Sequence, residues 1–211
     1  MRKISKQIGF EPQSLTHWKR KNTQGNYSGL TNTERQDIRM ACAIEQFYLC
    51  AYCCKRITGD SRDTMNEHVI ARNTAPNKSL DYTNIVASCR TPDQCDDAHG
   101  SQLLPLTPFD SECETDIRFK LSGRVKGKTN DAQETIRILN LGNYNKSLVE
   151  QRRQFINSIL FTNGIDANDG LDDDELIKMV MDDLNTPKNG KFEAFTPIII
   201  NVLNQWLDPV P

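Results

Sequence analysis

The chain lacks any long apolar run. Its longest hydrophobic stretch, residues 198–200 followed by Val202 and Leu203, is far too short to span a bilayer. The basic residues 1–6 lead into no apolar segment of the kind that a secretory signal requires. A mean hydropathy of −0.60 also indicates a well-solvated surface. We therefore expect a protein with no membrane role, located in the cytoplasm.

Several motifs of well-known enzyme and binding classes are also missing. No glycine-rich phosphate loop is present, so any dependence on ATP would come from a partner. Zinc-dependent deaminases need His-x-Glu before Pro-Cys-x-x-Cys, whereas here Glu67 precedes His68 and the Cys-x-x-Cys comes first. The acidic stretch 166–170 does not fit a calcium loop, because Leu176 falls where that loop requires glutamate.

Histidine is scarce, with three residues, whereas seven cysteines are present. An odd number of cysteines in a reducing compartment argues against a disulfide framework, and closely spaced pairs suggest metal ligands. Cys50 and Cys53 supply half of a tetrahedral site, and Cys89 and Cys95 supply a second pair at a looser spacing. We predict a structural zinc on these four residues. Two alternatives stay open: unrelated buried thiols, or Cys54 in place of Cys53.

Four further polar residues, Glu67, His68, Asn84 and His99, alternate with these cysteine pairs along the chain. Phosphodiester hydrolysis needs a base for water, a metal that neutralises developing charge, and a group that holds the base in place. We predict His68 as the base, because imidazole titrates near neutrality. Glu67 and His99 would bind a catalytic divalent metal, expected to be Mg²⁺ or Mn²⁺. Asn84 would fix the loop or orient His68.

Opposite charges at the two ends underlie the net charge of −2. Residues 1–30 contain six lysines and arginines against one acid, and residues 166–211 contain ten acids against three lysines. The basic end could contact a phosphate backbone, and the acidic end suits a protein partner. Equally, both ends could be solvated surface. The mildly acidic net charge predicts weak nucleic-acid affinity for the isolated chain.

Local patterns predict an α+β chain with three parts: a basic N-terminal arm at 1–30, a zinc-stapled domain at 31–128 and a helical segment at 129–211. The arm shows no periodicity and is expected to be extended. Thr31 and Glu34 form a capping-box pattern that opens a helix to about Tyr48. Strands are expected at 55–58 and 64–70, with an extended segment or short helix at 80–87 and a hairpin at 117–121 and 124–128. Further helices are expected near 96, 131–141, 147–161 (opened by a second capping box at Ser147 and Glu150), 175–184 and 192–206.

Several segments together resemble the HNH endonuclease family. They are Cys50-Ala-Tyr-Cys53, Asn66-Glu67-His68-Val-Ile, Leu80-Asp-Tyr-Thr-Asn84-Ile-Val and Ser88-Cys89…Cys95-Asp-Asp-Ala-His99-Gly100. More narrowly, the chain resembles the PtuB-like HNH components of Septu-type and retron-associated antiphage defence systems, over roughly residues 1–160. One position departs from that group, where lysine is frequent and this chain has His99. A histidine restores a metal ligand there.

The resemblance implies a ββα-metal nuclease fold with zinc-stabilised loops, which cleaves DNA or RNA. It also implies a PtuA-like ABC-type ATPase as partner and, in some systems, a reverse transcriptase with its RNA–DNA product. The rival hypothesis is a non-catalytic zinc-stapled module that docks onto an ATPase or a nucleic-acid complex. The Glu67-His68 dipeptide favours the enzyme, because a zinc staple has no use for an unligated histidine beside a carboxylate.

Overall fold

Helices and two small sheets share the chain, in agreement with the predicted α+β class. The computed structural model describes residues 1–165 and 173–207, so the acidic stretch 166–170 lies outside the described residues. The helices are α1 (Gln13–Lys21), α2 (Asn32–Glu45), α3 (Asp96–His99), α4 (Asn130–Ile138), α5 (Lys146–Thr162), α6 (Asp174–Leu184) and α7 (Thr196–Leu207). The strands are β1 (Thr64–His68), β2 (Ile85–Cys89), β3 (Ile117–Phe119) and β4 (Val125–Gly127). Within the described ranges, no helix has both the length and the apolar character needed to cross a membrane.

The first sheet is an antiparallel pair of β1 and β2. Its register places Thr64 opposite Cys89 and His68 opposite Ile85. Every residue of β2 is buried, and α2 contacts both strands. A strand that is covered in this way favours a continuous apolar or small-residue run over strict alternation. The sheet therefore carries one predicted zinc ligand at one end and the predicted base at the other.

Helix α2 begins at the predicted capping box. The Thr31 side chain accepts a hydrogen bond within the first turn, and the Glu34 carboxylate accepts one from the Thr31 backbone N–H at 2.8 Å. The helix ends at Glu45, before the expected Tyr48, because Phe47 and Tyr48 both adopt positive φ angles of 51° and 61°. Such angles reverse the chain and cannot continue a right-handed helix.

The predicted extended arm is wrong for residues 13–21, which form α1. Leu15 is fully buried, and Trp18, three residues later on the same face, packs against the core. Ile4 is also buried, and its backbone N–H donates to the Pro108 carbonyl at 2.7 Å. Two apolar residues are too few for a periodic signal in the sequence. The helical conformation of this segment depends instead on its contact with α2.

Two other local predictions are wrong in detail. Residues 55–58 do not form a strand, and only Arg56 among them pairs, in an isolated bridge with Leu49. Cys54, immediately before this segment, has a left-handed φ of 61° that interrupts the extended backbone. Helix α5 is capped by Asn145, whose side chain accepts from the Leu148 N–H at 3.1 Å, so Ser147 lies inside the helix.

The predicted basic hairpin is confirmed as β3 and β4. Gly123 in its turn has a φ of 75°, and a Cβ there would lie 2.1 Å from the Val149 carbonyl oxygen. The turn therefore requires glycine for conformation and for space. Helix α7 begins at Thr196, later than the predicted 192, after Phe195 with its positive φ of 58°.

Candidate active site and metal centre

The four predicted zinc ligands meet in one buried cluster. The sulfur atoms of Cys50, Cys53, Cys89 and Cys95 all lie within 4.8 Å of one another. The Cys50–Cys95 and Cys53–Cys89 sulfur pairs are each 3.8 Å apart. Zinc–sulfur bonds of about 2.3 Å in a tetrahedron require sulfur pairs about 3.8 Å apart. The donor set and its spacing therefore fit a zinc ion.

Backbone contacts hold the first cysteine pair against β2. The Ala51 N–H donates to the Ala87 carbonyl at 3.0 Å, and the buried Gln46 amide contacts both polar backbone atoms of Ala87. Cys89 ends β2, and Cys95 precedes α3 with a φ of 56°. Cys54 is buried but lies outside the four-sulfur cluster. The alternative with Cys54 in place of Cys53 is therefore not the observed arrangement.

Hydrogen-bond donors contact the sulfur atoms of the four-cysteine cluster, and the sulfur atoms also lie close to one another. The Cys89 N–H donates to the Cys50 sulfur at 3.3 Å, and the Gln94 amide lies 3.7 Å from the Cys95 sulfur. Hydrogen bonds with the neighbouring sulfurs raise the pKa of Cys53, and burial raises the pKa of Cys95. Adjacent buried thiolates repel one another, so a cation is needed to stabilise all four in the ionised form.

Arg152 on α5 is a fully buried cation beside this cluster. Its Nη1 donates to the Leu141 carbonyl at 2.9 Å, whereas Nε and Nη2 have no hydrogen-bond partner. Burial lowers the pKa of Arg152 to about 10, and the sulfurs of Cys53, Cys54 and Cys95 oppose that shift. A buried charge requires a nearby opposite charge. A zinc ion with four thiolates retains net negative charge and would supply it.

His68 lies at the end of β1 with one ring nitrogen already engaged. Its Nε2 is 2.9 Å from the Ser79 carbonyl oxygen, so Nε2 carries the proton and donates. Nδ1 is then an acceptor. Burial lowers the pKa of His68, which keeps the ring neutral near pH 7. The Tyr27 ring packs edge-on against it with centroids 4.7 Å apart.

Asn84 pins the loop that follows His68. Its Oδ1 accepts from the Ile70 N–H at 2.8 Å, and its Nδ2 donates to the Ile70 carbonyl at 2.9 Å. The Asn84 carbonyl accepts from the Val69 N–H at 3.0 Å. Of the two roles considered for this amide, the geometry matches loop fixation, while Ser79 holds the His68 ring.

Glu67 and His99, distant in sequence, are in direct contact. Glu67 Oε1 touches His99 Nδ1 and also accepts from the Tyr52 hydroxyl at 3.0 Å. His99 Nε2 lies 2.6 Å from the Gln102 carbonyl, so that nitrogen donates and Nδ1 presents its lone pair to the carboxylate. Burial raises the pKa of Glu67 and lowers that of His99. Two facing acceptors need a proton or a metal ion between them. A backbone carbonyl that accepts from the other ring nitrogen is typical of metal-bound histidine.

Asp96 joins this pair and was missed in the sequence. Burial, and next the neighbouring Glu67 carboxylate, raise the pKa of Asp96 to about 8. A usable signal was present, because Asp96 is the first residue of α3 and stands three positions before His99. Residues spaced by three share a helix face.

One pocket of about 390 Å³ joins Glu67, His68 and Asp96 to a cationic wall. Its wall includes three arginines and two polar side chains: Arg35, Arg39, Arg72, Tyr27 and Asn66. Sequence reasoning did not single out these arginines. A family-model comparison finds no match to this chain, and a comparison with curated proteins finds no significant match. A proposal about function therefore has to be argued from the residues of this pocket.

Proposed function

We propose that this chain is a metal-dependent HNH-type endonuclease that hydrolyses phosphodiester bonds in DNA or RNA. The observation that carries the proposal is the pocket in which His68, with Nδ1 available as an acceptor, adjoins the buried Glu67–His99 pair. In this proposal β1, β2 and α3 form the ββα-metal core, and the four-cysteine cluster staples the loops around it.

The donor set at this pocket fits a catalytic divalent metal. Glu67 and His99 would hold the ion, with Asp96 as a third donor from α3. Carboxylate oxygens suit Mg²⁺ or Mn²⁺. Such an ion, when bound, supplies Lewis acidity that neutralises charge on the phosphate and on the leaving oxygen.

The residues of the chain perform the proton transfer and the positioning. His68 takes a proton from the attacking water at Nδ1, and the Ser79 carbonyl keeps Nε2 protonated and the ring in place. Asn84 holds the loop after His68 through both backbone groups of Ile70. Attack on the phosphodiester leaves a 3′-hydroxyl on one product.

The proposal extends to a setting in antiphage defence. The nuclease would work with a PtuA-like ABC-type ATPase and, in some systems, with a reverse transcriptase and its RNA–DNA product. The resemblance to PtuB-like proteins supports this part, as does the exposed acidic face of α6, which includes Asp174, Glu175, Asp182 and Asp183. Negative charge of this kind suits a protein partner better than a nucleic acid.

The test compares two histidine variants of the chain, purified with its ATPase partner. His68→Ala should reduce cleavage by about 10²–10⁴-fold, as expected for loss of a general base, while the zinc content stays unchanged. His17→Ala is the matched control, because His17 is exposed on α1, and it should cleave normally. If His68→Ala cuts as fast as wild type, the assignment is wrong.

One observation favours the rival, a zinc-stapled binding module without catalysis. Among the described residues, the four cysteines form the group whose ligand atoms converge within 4.8 Å, and Glu67, Asp96 and His99 do not converge as tightly. Metal analysis separates the two hypotheses. Zinc plus an exchangeable Mn²⁺ site supports the nuclease, and zinc alone supports the module.

A further inference from the structure

A cluster of cationic side chains surrounds Tyr27 beside the proposed base. The guanidinium carbons of Arg35 and Arg72 lie 5.3 Å and 5.0 Å from the Tyr27 ring centroid. Arg39 follows Arg35 by four residues on α2 and lines the same pocket. The proton transfer proposed for His68 uses none of these side chains.

None of these three arginines has a carboxylate within ion-pair distance among the described residues. Arg35 is held instead by the Ser28 carbonyl at 3.0 Å, and Arg39 by the Gln36 side chain at 2.7 Å. Each keeps a buried Nε–H without a partner. The three guanidinium groups are therefore not engaged in direct ion pairs, and two of them keep a donor without a partner.

Asn66 adds a third, independent observation. It is 8% exposed, and its Nδ2 donates to the Tyr27 hydroxyl at 2.9 Å and to the Arg35 carbonyl at 2.8 Å. The Tyr27 hydroxyl therefore acts as acceptor toward Asn66 and keeps its own proton for another partner. Asn66 Oδ1 is buried without a partner, and a sugar hydroxyl or a water beside a bound anion would satisfy it.

The cationic wall and the proposed catalytic residues line the same pocket. Arg72, Glu67 and His68 all belong to this lining, and the Tyr27 ring, whose centroid is 5.0 Å from the Arg72 guanidinium carbon, also packs edge-on against His68 with ring centroids 4.7 Å apart. An anion held by the arginines would thus lie next to His68. Guanidinium groups recognise phosphate oxygens through directed hydrogen bonds as well as charge.

We infer that Tyr27, Arg35, Arg39 and Arg72 form a binding site for a backbone phosphate of the nucleic-acid substrate, beside His68. The identity of the ligand rests on the proposed function, whereas anion binding at this place does not require cleavage. Tyr27 belongs to the N-terminal segment, so this segment contributes to the substrate site through one buried aromatic residue.

The test measures binding in the full-length His68→Ala chain without added divalent metal. Fluorescein-labelled 20-nucleotide single strands and duplexes of DNA, and RNA single strands, are titrated by anisotropy at several salt concentrations. Arg72→Gln, Arg39→Gln and Arg35→Gln should each weaken binding about tenfold, a typical loss for a charged hydrogen bond. On duplex DNA each should also reduce the slope of log affinity against log salt by about 0.9. Tyr27→Phe should weaken binding less.

Matched controls remove the same charge elsewhere. Arg137→Gln and Arg153→Gln alter exposed arginines that pair with Glu134 and Glu150 within their own helices, and both should bind like the parent chain. Arg72 is itself exposed, so its variant should fold even if Arg35→Gln does not. Equal affinity and salt slope for Arg72→Gln and the controls would overturn the inference, as would no binding by the parent at low salt.

The outcomes also separate this inference from the proposed function. Binding that depends on the arginines, in a chain that cuts nothing when His68 is intact, leaves the phosphate site standing and removes the nuclease. Cleavage that depends on His68, together with binding that does not change in the arginine variants, supports the nuclease and removes the phosphate site.

Discussion

The Nε2 atom of His68 and the carbonyl oxygen of Ser79 are 2.9 Å apart, and this contact selects the tautomer of the proposed base. A carbonyl only accepts, so Nε2 must carry the proton and Nδ1 the lone pair. Ser79 is buried and follows a 3-10 turn at Pro76–Lys78 in the connection between β1 and β2. The backbone carbonyl of a loop residue therefore determines which ring nitrogen of His68 can act as the proposed base.

Loop fixation by Asn84 predicts a combined effect on stability and cleavage. Asn84→Ala leaves the N–H and carbonyl of Ile70 without their partners, at a cost of roughly 1–3 kcal/mol in the free energy of unfolding. Urea denaturation measures this loss, and cleavage should fall with it. Asn163→Ala is the control, because that exposed amide directly follows α5 and donates to the Ile159 carbonyl of the same helix. An unchanged unfolding midpoint for Asn84→Ala would contradict the role.

The four-cysteine cluster predicts selective loss of zinc. Cys89→Ser should reduce the zinc content from about one ion per chain to nearly none and lower the melting temperature strongly, because structural zinc contributes folding free energy directly. Cys113→Ser changes a buried cysteine outside the cluster and should keep its zinc. Elemental analysis of both purified variants decides the matter, and zinc retained by Cys89→Ser would disprove the assignment.

Arg152 should help the zinc site retain its ion. Arg152→Met removes the buried positive charge near Cys53, Cys54 and Cys95. Zinc should therefore be lost to a competing chelator about 10–100-fold more readily, the usual range for residues that support metal ligands without binding the metal. Arg152→Lys should recover part of the loss. The exposed neighbour Arg153→Met serves as control. If the two methionine variants release zinc equally, Arg152 has no electrostatic role at the cluster.

Asp96 should contribute to the exchangeable metal site that we propose at Glu67 and His99. Asp96→Asn keeps the shape of the side chain and removes the charge, so Mn²⁺ affinity, followed by electron paramagnetic resonance, should fall by about tenfold or more, as for loss of a charged contact. Asp97→Asn, one position along α3 and exposed, should bind Mn²⁺ normally. The same Mn²⁺ affinity in both variants would exclude Asp96 from the site.

Interactions between near neighbours were predictable from the sequence. The capping box of Thr31 and Glu34 and the turn at Gly123 each depend on residues a few positions apart. Short segments have few ways to satisfy their backbone groups, so a pattern of residue types is sufficient there. The second cysteine pair was also predictable, since a tetrahedral zinc needs four donors and the chain offers few candidates.

The tertiary structure decided the contacts between distant residues. Pairing of β1 with β2 and the position of α3 bring Glu67 against His99, and α2 brings Arg35 beside Tyr27. The burial of Leu15 and the choice of Cys53 over Cys54 have the same origin. Sequence alone thus determined which donor and base types were present, because these are properties of residues. Their convergence depends on packing over long loops, which no local pattern encodes.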